Sequence, residues 1–348
     1  MPSSCRRKSA ENRAPTGRTI GGALFLSALL ALSTPSHAQA TLPPSACIEG
    51  ATVVPLLGGQ GDAPLIPVHV EDQDAAMFVS PGLRPVLIRN YGDIWFPLGP
   101  AQPLIAQDGQ PVITHHTEID DIRIGTLSLS MVPASLLEHD ATRMVGTRPL
   151  LGLLGYEFFI GAELLLDIPH GKLAIFHWST KKECGDSPAR IFAGAFTSVK
   201  MDSTTHIAVQ IGPITRQFKL DPDLGISIIP YTDARDAGIS KASLAEDTRI
   251  ATCYATTQVG ARHRFDRVAI GSHTMTDIPL VVQNHLSTGA LGEDFFSGIV
   301  ALFDFPHNRF IFQPTTDRNT APERHLHFDE SHEGFTSVKE PHPERRYQ

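Results

Sequence analysis

The 348-residue chain carries one unit twice. Gly155–Phe176 reads GYEFFIGAELLLDIPHGKLAIF, and 137 residues further on Gly292–Phe312 reads GEDFFSGIVALFDFPHNRFIF. Phe158-Phe159 answers to Phe295-Phe296, Asp167 to Asp304, Pro169-His170 to Pro306-His307 and Lys172 to Arg309, without a gap. An ungapped echo of this length means that one supersecondary unit is built twice, so the fold must bury two equivalent copies.

Each copy extends upstream as short apolar runs. The first has Leu65–Val70, Met77–Val79, Val86–Ile88, Ile122–Ile124 and Leu127–Val132; the second has Ile207–Ile211, Phe218–Leu220, Ile226–Ile229, Val268–Ile270 and Ile278–Val282. Runs this short, bounded by Gly, Pro and Asp, read as β-strands. Ile124-Gly125 and Ile270-Gly271 fit turns between strands, and Gln107-Asp108-Gly109-Gln110 is a hairpin signal. Helical spacing is confined to Tyr156–Ile160, Glu293–Ser297 and Ala234–Ala245. The reading is mostly β, with units at 62–178 and 203–314, an N-terminal linker at 41–61 and a connector at 179–202. Residues 315–348 are charged, with few apolar anchors, and read as a disordered tail. The tail histidines His325, His327, His332 and His342 read as solvated rather than as metal ligands.

Residues 1–40 read as a signal peptide. Arg6, Arg7, Lys8, Arg13 and Arg18 precede the apolar run IGGALFLSALLALS, and small residues lead to a cleavage site near Ala40. The run is shorter than the roughly 20 residues a membrane span needs, so no transmembrane span is expected in the mature chain. The expected location is the periplasm or the exterior. Without the leader, 24 basic and 36 acidic residues remain, a net charge of −12. That balance, without a basic cluster, argues against nucleic acid as a partner. Of the remaining cysteines, Cys47 and Cys184 flank the first unit and are placed to bridge its ends, leaving Cys253 unpaired.

The order strand, turn, strand, then a hydrophobic-hydrophobic-Gly element and a terminal ribbon containing Asp resembles the retropepsin-like and pepsin-like aspartic peptidases. The residues that carry the resemblance are Leu153-Leu154-Gly155 with LLLDIPHGKLAIF, and Ala290-Leu291-Gly292 with ALFDFPHNRFIF. It implies a bilobal fold of two repeated β-barrel lobes with a cleft between them, and a hydrophobic-hydrophobic-Gly element that supports each catalytic loop. It also implies an Asp-Thr/Ser-Gly loop in each lobe, whose two carboxylates share one proton and activate water.

The loops depart from that pattern. The first reads Phe78-Val79-Ser80-Pro81-Gly82, with Ser80 where the aspartate belongs; the second reads Lys219-Leu220-Asp221-Pro222-Asp223. Pro81 and Pro222 match, as does the spacing to Leu87-Ile88 and Ile228-Ile229, so the alignment is coherent. Ser80 cannot complete a shared-proton dyad. Three other roles are open to these residues: Asp221 with Asp223 as an acid pair rather than a solvated turn, a Ca²⁺ site on the same acids, or Ser80 as a nucleophile with His115 or His116. No Gly-x-Ser-x-Gly elbow supports the last. The hairpin around Asp108-Gly109, between Phe96 and His116, occupies the family's flap position, and Trp95 and Phe96 either line a groove beneath it or pack in the core.

No phosphate loop, Cys-x-x-Cys pair or His-Glu-x-x-His helix is present, and neither cofactor nor metal is expected. The sequence therefore points to an exported, catalytically degenerate module that binds an extended peptide or small ligand in the inter-lobe cleft. The alternative is an active endopeptidase using Asp221 with a second acid, from Asp223 or a partner chain.

Overall fold

The computed structural model describes residues 43–58, 62–106, 109–253, 257–315, 327–328 and 336–339. The signal peptide expected at 1–40, and the tail histidines His325, His332 and His342, lie outside these residues. So do Gln107 and Asp108 at the tip of the flap-position hairpin.

The repeated segment folds identically in both places. A helical turn, Tyr156–Phe159 or Glu293–Phe296, leads into a strand, Glu163–Asp167 or Ile299–Asp304. A tight turn and a second strand follow, Lys172–Trp178 or Arg309–Pro314. The repeated Asp holds the tight turn. Asp167 Oδ1 lies 2.6 Å from His170 Nδ1 and accepts from His170 N, and Asp304 Oδ1 lies 2.7 Å from His307 Nδ1 and accepts from His307 N. The most visible carboxylates of the repeat are therefore turn caps.

The two copies share one six-stranded sheet. Its order is Ile48–Pro55, Lys172–Trp178, Glu163–Asp167, Ile299–Asp304, Arg309–Pro314 and Thr197–Lys200. The central pair is antiparallel, with Leu165 opposite Leu302. These two residues are also equivalent in the sequence repeat, so the pseudo-two-fold axis passes between them. Aromatic rings knit the copies together across this axis: Tyr156 meets Phe305 edge-on at 5.3 Å, and Phe159 and Phe303 stack on the same ring.

Each lobe wraps its remaining strands around its own half of the core. The first uses Leu65–Val70, Gln73–Ser80, Leu87–Ile88, Pro111–Ile124, Leu127–Leu137 and Arg148–Gly155; the second uses His206–Ile211, Ile214–Leu220, Ile228–Pro230, Thr257–Ile270, His273–Gln283 and Gly289–Leu291. The fold is mostly β and bilobal, as the sequence implies. The flap-position hairpin is present, with Ala101–Ile105 pairing antiparallel to the start of Pro111–Ile124.

Four local expectations change. The 41–61 linker contains a strand, Ile48–Pro55, whose Thr52 and Val54 are buried. Thr52 Oγ1 donates to Ile124 O at 2.9 Å and accepts from Thr126 N at 3.0 Å, tying this strand to the Gly125 turn. The 179–202 connector ends in its counterpart, Thr197–Lys200, where Thr197 Oγ1 lies 3.3 Å from Ser272 Oγ beside the Gly271 turn. The single helix read over Ala234–Ala245 is two short ones, Tyr231–Asp236 and Lys241–Ala245, broken where Gly238 takes φ +97°. Within 315–348, read as disordered, His327–Phe328 and Thr336–Lys339 are short strands, the second parallel to Arg143–Val145.

Cys47 and Cys184 form a disulfide. Both are fully buried against Phe176, Trp178, Leu302 and Ile311. The bridge clasps the start of the first edge strand to the connector and closes a loop that spans the entire first lobe. Replacing both cysteines by serine is expected to lower unfolding stability by about 3–5 kcal/mol, measured from urea denaturation with and without reductant. Equal midpoints for the variant and the oxidised protein would show that the bridge adds nothing.

Candidate functional site

The site forms where two strand ends meet. Gln73–Ser80 runs parallel to Arg148–Gly155, with Val79 opposite Leu154 and Ser80 opposite Gly155. Ile214–Leu220 runs parallel to Gly289–Leu291, with Leu220 opposite Leu291, and Asp221 N donates to Leu291 O at 2.9 Å. Beyond each strand the chain turns in the same way. Ser80 O accepts from Leu83 N, and Asp221 O accepts from Leu224 N, both at 3.0 Å.

The hydrophobic-hydrophobic-Gly elements hold these loops from beneath. Leu83 O accepts from Tyr156 N at 2.6 Å, and Leu224 O accepts from Glu293 N at 2.7 Å. A Cβ on Gly155 would collide with Pro85 O, and one on Gly292 with Leu224 O. Only glycine allows this approach. Leu154 and Leu291 are buried in the core beside them. Leu154, Gly155, Leu291 and Gly292 thus lie directly beneath the two loops.

The two loops touch. Ser80 Oγ donates to Asp221 Oδ1 at 3.4 Å across 141 residues of sequence, and both side chains are buried. Gly82 packs so tightly against the second lobe that a Cβ would lie 2.8 Å from Asp221 Oδ1 and 2.8 Å from Lys219 Cε. The side chain facing Asp221 from the first lobe is therefore Ser80. His115 is engaged elsewhere, its Nδ1 3.1 Å from Gly99 O, and His116 lines a hollow with Gln102 and Ser135. Ser80's bond is to a carboxylate and not to an imidazole. Phe96 is a core residue, whereas Trp95 is 72% exposed beside Tyr91 and Ile94.

Two features were not evident from the sequence. Lys219 reaches the site from the residue two before Asp221, placing Nζ 2.9 Å from Asp221 Oδ2 with only 12% of its side chain exposed. Asp223, read as part of a solvated turn, is half-buried instead, and its enclosed Oδ1 has no hydrogen-bond partner among the described residues. Gly82 of the other lobe packs against Leu220, Asp221 and Lys219 just before it. An ammonium ion already neutralises Asp221, so the arrangement does not favour Ca²⁺ there. Strand alternation was the available signal for Lys219, since residues i and i+2 share a face.

Electrostatics separates the two acids. Burial works against charge on Asp221, but Lys219, with hydrogen bonds from Asp223 and Ser80, outweighs it and holds the carboxyl below its ordinary range. Burial and the adjacent Asp221 charge push Asp223 well above its ordinary value. Burial opposes the charge on Lys219 as well, and the Asp221 carboxylate overcomes it and raises the ammonium. The environment thus favours the charged forms of Lys219 and Asp221 and the neutral form of Asp223.

Two outcomes follow. Lys219→Met strands a buried carboxylate and is expected to cost about 3–5 kcal/mol, read from urea midpoints at pH 7; a change below about 1 kcal/mol would show the pair to be solvent-screened. Asp223 binds its proton more tightly when folded than when unfolded, where its value is near 3.8. Its contribution to stability therefore declines as pH rises from there through the raised value. Asp223→Asn is expected to remove that decline, gaining stability over wild type at pH 7 but not at pH 4. Parallel pH–stability curves for the two proteins would contradict the assignment.

Known proteins match this arrangement at two levels. The aspartyl protease family pattern matches residues 207–295, the segment that holds Lys219, Asp221 and Asp223. The aspartic proteinase from Irpex lacteus superposes with a TM-score of 0.50 at 11% identity, covering 79% of this chain and 100% of that one. No curated protein matches in sequence. In fold, and in the pattern of its second lobe, the chain is aspartic-peptidase-like.

Proposed function

We propose that this protein is an exported binding module that uses the aspartic-peptidase scaffold to hold an extended peptide or small ligand between its lobes without cutting it. The observation that carries the reading is the environment of Asp221. Oδ1 accepts from Ser80, Oδ2 is ion-paired with Lys219 at 2.9 Å, and the residue is 7% exposed. A general base needs a free lone pair near its water and a basicity matched to the working pH. Asp221 has its oxygens engaged and its basicity reduced. The opposing lobe supplies a hydroxyl, which cannot hold the second proton of a dyad.

A two-lobed β scaffold retains a binding mode that needs no catalysis, because main-chain hydrogen bonds from strand edges and the flap-position hairpin can hold an extended peptide. Export is supported by the leader-like residues 1–40 and by the Cys47–Cys184 bridge, which suits an oxidising compartment. No helix among the described residues is long and apolar enough to cross a membrane.

A second reading rests on Asp223. Its raised pKa beside an ionised Asp221 reproduces, within one loop, the split that acid–base pairs use. An enzyme of this kind would cut peptides and lose activity in both Asp221→Asn and Asp223→Asn. The deciding experiment exposes a diverse peptide library to the purified protein from about pH 3 to 8. The binding reading expects no cleavage, and ligand-dependent rises in melting temperature that persist in Asp221→Asn. Cleavage abolished by Asp221→Asn would replace the binding reading with the enzymatic one.

A further inference from the structure

Glu163 is a buried carboxylate that neither the turns nor the strands of the repeat require. It opens the strand Glu163–Asp167 of the first copy and stands opposite Asp304 of the second across the antiparallel pair. The two residues are 2% and 0% exposed. The repeat offset of 137 brings Glu163 onto Val300, so the other copy fills this sheet position with an apolar residue. Asp304 Oδ2 accepts from Arg309 Nε at 2.9 Å, Arg309 donates in turn to Asp186 O, and Asp304 Oδ1 lies 2.7 Å from His307 Nδ1. Glu163 Oε2 accepts from Trp178 N at 2.9 Å, and no donor among the described residues bonds to Oε1. A carboxylate oxygen of Glu163, one of Asp304 and a ring nitrogen of His307 all lie within 4.8 Å of one another. Arg309 offsets one of the two carboxylate charges, and the other faces an imidazole. Two dry carboxylates side by side repel unless a proton or a cation joins them.

We propose that Glu163, Asp304 and His307 form a site for a divalent metal ion of the Zn²⁺ type, which ties the two copies together at their shared sheet. Glu163 comes from one copy, and Asp304 with His307 from the other. The donor set decides the class of ion: one imidazole with two carboxylates suits Zn²⁺, whereas Mg²⁺ and Ca²⁺ take oxygen ligands. Three protein ligands leave one position of a tetrahedral ion to water. Ligands on such an ion stand roughly 3.4 Å apart. The His307 side chain is 47% exposed and sits on a turn, so rotation of its ring closes the remaining distance and leaves the ion a way in. Arg309 and Trp178 N each hold the carboxylate oxygen that the ion does not use, which orients both acids towards it. The first copy is an internal control. Asp167 and His170 make the same contact at 2.6 Å, but the residue equivalent to Glu163 is Val300, which offers no third ligand.

The test uses the full mature chain, stripped of metal with EDTA and titrated with ZnCl₂, MgCl₂ or CaCl₂ under calorimetry and melting measurements. Wild type is expected to bind Zn²⁺ saturably and to melt at a higher temperature with it, with no rise at equal concentrations of Mg²⁺ or Ca²⁺. Glu163→Gln and His307→Ala should each weaken Zn²⁺ binding at least ~10-fold, and His170→Ala should leave it unchanged. Melting without metal confirms that each variant is folded. His307→Ala, on an exposed turn, carries the test if Glu163→Gln does not fold. Co²⁺ adds a spectroscopic readout: the visible bands of a four-coordinate ion should appear in wild type and be lost in His307→Ala. Absence of saturable Zn²⁺ binding by wild type would overturn the assignment. So would binding that persists in His307→Ala, as it would on the tail histidines, or an equal response to Mg²⁺ and Ca²⁺. These readouts are independent of peptide binding and cleavage, so the result holds whichever reading of the inter-lobe cleft survives.

Discussion

The antiparallel pairing of Leu165 with Leu302 sets the geometry of the whole molecule. Because these residues are equivalent in the repeat, each copy meets the other through the same surface, and the sheet has no free central edge. Everything placed equivalently in the lobes is then related by that axis, including the two loops after Gln73–Ser80 and Ile214–Leu220. The repeat offset is 137 at the shared sheet and 141 at those loops. The offset reaches 146 at the Gly125 and Gly271 turns, so the difference is a nine-residue deficit of the second lobe after those turns less a five-residue excess in the segment before them. The first lobe has the flap-position hairpin there, and the second has two short helices followed by the strand Thr248–Cys253. The axis therefore survives a local change of content, and Ser80 still meets Asp221.

That meeting explains why Lys219 is buried. In a symmetric two-acid site, a shared proton limits the charge held in a dry place. With Ser80 on one side, the remaining carboxylate has only a hydroxyl donor, and an unpaired buried charge costs several kcal/mol. Lys219 compensates from its own strand. The equivalent position in the first lobe is Phe78, which lines a hollow of that lobe. One strand position thus carries a counter-ion in one lobe and an apolar ring in the other. Loss of symmetry in the chemistry is accommodated by side chains while the backbone keeps its axis.

Much of this was legible in the sequence because the repeat constrains it. The paired strands, the glycine supports at Gly155 and Gly292 and the correspondence of Ser80 with Asp221 all follow from aligning one half with the other. The missed features depend on contacts that no spacing reveals. Asp223 has the local look of a solvated turn, yet it sits beside Asp221, which meets Ser80 from 141 residues away in chain order. The edge strands Ile48–Pro55 and Thr197–Lys200 are short and half-exposed, with little apolar content, and they become strands because a partner edge and a glycine turn await them.

The charge distribution gives this asymmetry a consequence for recognition. At physiological ionic strength, fields are screened beyond about 8 Å, so the overall acidity of the chain acts weakly on a ligand already at the lobe junction. There the local groups decide. Asp221 and Lys219 offset each other's charge on the second lobe's side of the junction. On the first lobe's side the corresponding strand position is the apolar Phe78. With Ser80 opposite it and Lys219 paired to it, Asp221 leaves less net negative charge at the junction than a two-acid site would hold.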